Sequence, residues 1–270
     1  MLTNYIVWNI RPEIFILPDD LPLIGGFSVR WYGLLFAMSF IFGYIILQRM
    51  FKKEGVPIKL LDELSTYMII STIVGARLGH CLFYQPAYYL EHPIDILKIW
   101  EGGLASHGAA VGIFVGLYLF SRKYHKHYLW VFDRIAIVVA LAGFFIRTGN
   151  LINSEIFGDV TTQPWGMIFV RVFGEGYPIA HHPTQIYEAV GYLLLFVFLF
   201  TYYWRHNGKP SEGAIFGYFL LILWSIRFLI EFIKLPQVDF ENTMFLNMGQ
   251  LLSIPLIIAG GYFLVRSHKK

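Results

Sequence analysis

The chain has 270 residues, 56% of them hydrophobic and 18% aromatic, and only 14% charged against the roughly 25% usual in soluble domains. With a mean hydropathy of +0.56, this excludes an ordinary soluble domain and points to an integral membrane protein solvated largely by lipid. A formal net charge of +3 and a single cysteine, Cys81, exclude a disulfide framework and a thiolate cluster, and no nucleic-acid partner, metal or cofactor is expected. In chain order, residues 1–26 carry Arg11, Glu13, Asp19 and Asp20 without the basic start, apolar core and cleavage site of a signal peptide, so no cleaved leader is expected. Apolar runs of the ~20 residues that cross a bilayer then recur. They cover 27–48, 65–84, 103–121, 135–153, 187–204, 213–233 and 248–265. Between them stand the breakers Gly55 and Pro57, Pro86 and Pro93, Gly174 to Pro178, Gly208 to Pro210, and Pro236. No internal repeat is visible, which weighs against the two-halves plan of many secondary transporters.

Alternate connecting segments differ in charge. One set holds thirteen Lys and Arg residues, from Arg49 to Lys270; the other holds five, Arg11, Arg30, Lys98, Arg171 and Lys234. The first set should be cytoplasmic. The reading is an all-α polytopic membrane protein of about seven transmembrane helices, with its N-terminus outside and its C-terminus cytoplasmic. Residues 1–270 form one transmembrane domain, and the polar stretch 153–186 forms a small subdomain or lid on the outer face.

The remaining three arginines, Arg77, Arg147 and Arg227, fall inside predicted spans. Each costs at least ~2.5 kcal/mol on insertion scales and needs a polar partner or a wet cavity. The topology places all three toward the outer leaflet, with His107, Glu231, Glu188 and Tyr32 at similar depth, which argues for a polar cavity open on that side. Structural readings stand beside this one. Arg227 and Glu231 have the i,i+4 spacing of an intrahelical ion pair. Arg77, within Gly75-Ala76-Arg77-Leu78-Gly79, is suited to capping the carbonyls of a broken neighbour where small residues allow close contact. A lone histidine such as His107 is usually an interhelical hydrogen-bonder, although Glu101-Gly102-Gly103 before it and Gly108 after it would let a headgroup or a backbone approach the ring.

Two polar knots are more specific. In Arg147-Thr148-Gly149-Asn150-Leu151-Ile152-Asn153-Ser154-Glu155-Ile156-Phe157-Gly158, an arginine, two amides and a carboxylate gather at a helix end, a composition suited to an anionic, oxygen-rich ligand. In His181-His182-Pro183-Thr184-Gln185-Ile186-Tyr187-Glu188, Pro183 and Thr184 read as a helix start, while Gln185 and Glu188 exceed what initiation needs.

These motifs, with Trp31-Tyr32-Gly33 and Ser106-His107-Gly108, follow one another in an order that resembles the prolipoprotein diacylglyceryl transferases of bacteria, over nearly the whole chain. Three positions differ from the usual family pattern: Ala109 follows Gly108 where a second glycine is usual after the histidine, Ser154 stands where glycine usually precedes the glutamate, and Leu223 stands one turn before Arg227 where a tyrosine is common. The resemblance implies transfer of the diacylglyceryl group of phosphatidylglycerol to the lipobox cysteine thiol of a preprolipoprotein signal peptide, giving a thioether and glycerol phosphate, in the bacterial cytoplasmic (inner) membrane. It implies an active site toward the outer leaflet. His107, Arg147 and Arg227 become the candidate catalytic residues. Tyr32, Arg77, Gly103, Asn150, Asn153, Glu155, Gly158, Gln185, Tyr187, Glu188 and Glu231 become candidate substrate-binding residues. A phosphate leaving group calls for planar, permanently charged donors. A thiol with pKa near ~8.5 calls for a base. A transporter or proton channel would also place Arg, His and Glu inside helices, and a non-catalytic lipid-binding subunit would need the arginines but not a base at His107.

Overall fold

The computed structural model describes residues 5–18, 20, 26, 28–99, 102–235 and 244–269; Asp19, Glu101, Pro236 and Lys270, named above, lie outside them. In chain order the described elements are β1 (Ile6–Trp8), β2 (Glu13–Ile16), β3 (Ser28–Arg30), α1 (Trp31–Glu54), α2 (Ile58–Phe83), α3 (Pro86–Glu91), a 3-10 turn (Pro93–Leu97), α4 (Ser106–Lys123), α5 (Tyr128–Ile152), β4 (Met167–Phe169), α6 (Val170–Phe173), α7 (Thr184–Arg205), α8 (Ala214–Ile230) with a 3-10 turn (Glu231–Ile233), and α9 (Met248–His268). This is an all-α polytopic membrane protein carrying four short strands that the sequence did not announce. Six of the helices are long and apolar enough to cross a membrane: α1, α2, α5, α7, α8 with its 3-10 turn, and α9. The third predicted span corresponds to α4, 18 residues long, whose polar start at Ser106 and His107 and basic end at Arg122 and Lys123 keep its composition from marking a span.

Helix ends follow the breakers. Pro57 precedes α2, Pro86 opens α3 and Pro93 opens the turn after it, positions where the missing N–H would have no intrahelical partner. Asn247 caps α9: its side chain accepts from the Gln250 N–H at 2.9 Å, and the Gln250 side-chain oxygen accepts from the Asn247 N–H at 3.1 Å. Several helices run past the predicted spans because their ends bury apolar groups. Leu61 and Leu64 at the start of α2, and Leu129 and Val131 at the start of α5, are buried.

Contacts divide the chain into two compact units, Leu47–Arg134 and the combination of Met1–Ile46 with Ile135–Lys270. Within Leu47–Arg134, α2 packs on α4 at backbone range: a Cβ on Gly75 would lie 2.4 Å from the Gly108 carbonyl oxygen, so only glycine admits this approach. At the other end of this unit, Arg134 on α5 grips the Glu54 carboxylate of α1 through Nε (3.1 Å) and Nη2 (2.8 Å), and Trp130 donates to the same carboxylate at 3.0 Å. Both charges are buried and mutually neutralised.

Within the other unit, α7 packs on α8 and α8 on α9. β1 pairs in parallel with β4, and β2 antiparallel with β3. The 153–186 stretch has a small apolar core of Met167, Phe169 and Leu151, closed by Trp8, Phe157, Phe173 and Ile186; Trp8 also donates its indole N–H to the Leu151 carbonyl at 2.8 Å. This stretch leaves α5 through two non-glycine residues in the left-handed region, Ser154 (φ 57°) and Ile156 (φ 61°). A side chain there costs ~1–2 kcal/mol, and the buried Ser154 hydroxyl has no hydrogen-bond partner among the described residues. Ser154→Gly is therefore expected to stabilise the protein by about 1 kcal/mol after glycine's larger loss of chain entropy. Thermal unfolding in detergent checks this; a lower melting temperature would show that the hydroxyl holds a partner of its own.

Candidate active site

Five elements of one unit converge on a buried ionic knot. Arg147, on the last turns of α5, places Nε 2.8 Å from Glu188 Oε2 on α7 and donates from Nη1 to Asn150 Oδ1 at 3.2 Å. The α5 helix brings both to one face because they are three residues apart. Asn150 passes the contact on, donating to Glu155 Oε1 at 2.8 Å, and Asn153 donates to the same oxygen at 3.2 Å. Gln185 donates to the Glu155 carbonyl at 2.7 Å. Its own Oε1 and the Asn153 Oδ1 are buried acceptors without a partner among the described residues, which suits donors supplied by a ligand. Glu188 is fully buried, and its other oxygen, Oε1, lies 3.4 Å from Lys234 Nζ. Lys234 completes the knot at 3.4 Å from Glu231 Oε2. Burial holds the Lys234 ammonium below the ordinary lysine range, opposed by the attraction of Glu188.

The surrounding backbone is shaped to this knot. Gly158 bridges Lys234, and a Cβ on it would lie 2.3 Å from the Ile233 carbonyl oxygen, so the approach requires glycine. Tyr32 on α1 lays its ring against α5 at Gly149, where a Cβ would come within 2.7 Å of Cδ2. Glu231 rests on Gly249 at the start of α9, and its carbonyl accepts from the Asn247 amide at 3.3 Å; the N-terminal end of α9 favours that carboxylate. Tyr187 faces another way. Its oxygen accepts from the Trp165 indole at 2.8 Å, and its hydroxyl is 3.1 Å from His182 Nδ1.

Arg227 does not pair with Glu231 as the i,i+4 spacing allowed; its guanidinium lies over the Trp224 ring at 5.9 Å. The reason is local. At Glu231–Ile233 the helix tightens to 3-10 geometry, which aligns residues three apart, so Glu231 turns to Lys234. Glu155, a candidate substrate-binding residue, gathers the two asparagines, and Glu188 is the carboxylate that orients Arg147.

Arg77, Gly103 and His107 belong to the Leu47–Arg134 unit. The Arg77 guanidinium donates Nε to the Ile96 carbonyl at 2.9 Å, Nη1 to those of Gly102 and Gly103 at 2.6 and 3.2 Å, and Nη2 to that of Asp95. It also lies over the Tyr89 ring at 5.1 Å. These contacts match the carbonyl-capping alternative rather than a free anion receptor. Gly103, at φ 70°, lies against Arg77 and His80, so its lack of a side chain serves this clamp. The Tyr88 hydroxyl donates to Asp95 at 2.7 Å and Lys98 pairs with it at 2.6 Å; these bonds hold the Asp95 carboxyl below its ordinary range. His107 is exposed in the first turn of α4, at the edge of a groove of about 950 Å³ along α2 and α4 whose walls include Leu78, Leu82, Val111 and Val115.

Lys234 and Tyr192 were missed by sequence reading. The Tyr192 hydroxyl approaches Glu188 Oε1 at 3.5 Å. Lys234 had a visible signal: a rare basic residue on the side poor in them, three positions after Glu231.

Fold and site together define a polytopic membrane protein with a charge-bearing polar site built into its helices. The family model described as prolipoprotein diacylglyceryl transferase matches residues 21–266. The chain is 44% identical to the phosphatidylglycerol–prolipoprotein diacylglyceryl transferase of Tolumonas auensis, over 97% of this chain and 98% of that one. It is 42% identical to the protein of the same name from Chloroherpeton thalassium (99% and 96%) and 43% identical to that of Porphyromonas gingivalis (99% and 96%). The chain belongs to the prolipoprotein diacylglyceryl transferase family.

Proposed function

We propose that this protein transfers the diacylglyceryl group of phosphatidylglycerol to the lipobox cysteine thiol of a preprolipoprotein. The sulfur attacks the glyceryl carbon, a carbon–sulfur bond forms, and the carbon–oxygen bond to phosphate breaks. The electron pair leaves with glycerol phosphate, and the thiol proton passes to a base. The observation that carries this reading is Arg147: a largely enclosed arginine whose partners, Glu188 and Asn150, are fewer than the five N–H groups of a guanidinium. The remaining donors are suited to the non-bridging oxygens of a phosphate and strengthen as charge develops on the leaving group. Arg227, whose guanidinium lies over the Trp224 ring, is the second cation. Asn153 and Gln185 offer acceptors to glycerol hydroxyls. His107 takes the thiol proton, and the apolar groove beside it supports a substrate with long hydrocarbon chains.

In this reading α4 is the seventh span, the N-terminus is outside and the C-terminus cytoplasmic, as the lysine and arginine distribution supports. The site opens toward the outer leaflet of the bacterial inner membrane, and the 153–186 stretch covers it there. The transporter alternative is set aside, because relatives that match along nearly the whole chain carry a transferase name. The test is mass spectrometry of a lipobox peptide incubated with phosphatidylglycerol and purified protein. A diacylglyceryl mass gain on the cysteine with release of glycerol phosphate is expected; no gain from a folded sample would overturn the assignment.

A further inference from the structure

The phenol of Tyr192 borders the ionic knot at Glu188 and takes no step in the reaction just described. It lies one turn beyond Glu188 on α7 and is buried. Its hydroxyl is 3.5 Å from Glu188 Oε1, and the other oxygen of that carboxylate lies 2.8 Å from Arg147 Nε. The ring is wedged against α5, where a Cβ on Gly143 would come within 2.9 Å of Tyr192 Cδ2. On α8, the residue one turn before Arg227 is Leu223, which offers no hydroxyl. Burying a phenol is unfavourable unless its oxygen is used, and phenylalanine would fill the same space without that cost. A guanidinium has fixed donor directions in one plane. Glu188 and Asn150 hold it from two sides, so the setting of the Glu188 carboxylate determines how the plane is turned.

We propose that Tyr192 is a positioning residue for the anionic headgroup: its hydroxyl, against Glu188, sets the carboxylate that holds Arg147 and so fixes the plane in which Arg147 presents its remaining N–H groups to the phosphate of the lipid substrate. This rests on the assignment of the phosphate to Arg147. No bond is made or broken at the phenol.

The test uses the purified full chain in nanodiscs, with transfer measured over a series of phosphatidylglycerol mole fractions, over a series of lipobox-peptide concentrations, and against glycerol phosphate as competing anion. Tyr192→Phe keeps the ring in place at Gly143. It is expected to raise KM for phosphatidylglycerol about tenfold and to weaken inhibition by glycerol phosphate by about the same factor, with KM for the peptide unchanged. Gly143→Ala, which displaces the ring but keeps the hydroxyl, is expected to produce the same lipid-selective loss. In an Arg147→Ala background, Tyr192→Phe is expected to leave glycerol phosphate binding, read by calorimetry, no weaker than Arg147→Ala alone, because the phenol acts through the arginine. An unchanged lipid KM in Tyr192→Phe overturns the proposal. An equal loss for both substrates together with a lowered melting temperature also overturns it, since that marks packing. Absence of transfer by the wild-type protein would instead overturn the function, and calorimetry of glycerol phosphate on wild type and Tyr192→Phe would still decide the role of the phenol.

Discussion

Replacing Arg147 by alanine is expected to reduce diacylglyceryl transfer by about 10²–10³-fold or more while leaving a folded protein. The loss follows from removing the donors that meet the phosphate as charge builds on it. The fold survives because Glu188 keeps a cationic neighbour, Lys234 Nζ at 3.4 Å, and is not left as an unpaired buried charge. Arg147→Lys is expected to fall nearly as far, since an ammonium cannot hold Glu188, Asn150 and a phosphate in one fixed plane. Turnover by mass spectrometry, paired with a melting curve, checks both. A folded Arg147→Ala protein with normal turnover would remove the phosphate from this residue.

His107→Asn is expected to lower the rate about 10²–10⁴-fold at neutral pH and to change its pH dependence. Without the base, the reaction depends on spontaneous ionisation of the substrate thiol, whose pKa is near ~8.5. The thiolate fraction rises about tenfold per pH unit below that value and then levels off, so the variant should recover as pH rises through it, while the wild type varies less over the same range. Rates from pH 6 to 9 on one peptide decide the matter. A variant whose profile runs parallel to wild type would remove His107 from the chemistry.

The helices were legible because a bilayer imposes a length on apolar runs, and composition reports that length directly. Their ends were less so. The first turns of α2 and α5 mix charges with residues such as Leu61 and Val131, whose burial depends on neighbours far along the chain. β1 and β4, three residues each, are too short for an alternating pattern to show. In the site, Arg147, Asn150, Glu155 and Glu188 stood out as polar groups in apolar surroundings. Their pairing did not, because Glu188 meets Arg147 across two helices while Glu231 sat at a tempting spacing from Arg227. A tyrosine in an apolar helix such as Tyr192 reads as packing until the position of its hydroxyl is known. Lys234 was read as one more loop charge, and its place between two carboxylates depends on the tightened turn at Glu231–Ile233.

The Arg77 clamp bears on how this protein tolerates change. All four hydrogen bonds from its guanidinium end on main-chain carbonyls, those of Asp95, Ile96, Gly102 and Gly103. The backbone at Asp95–Ile96 and at Gly102–Gly103 is therefore held by an arginine outside both stretches and by the two glycines at φ 91° and 70°, not by the side chains displayed there. Substitutions at exposed residues such as Leu97 and Ile99 would leave these contacts intact, because none of the four uses a side chain of the stretch it holds.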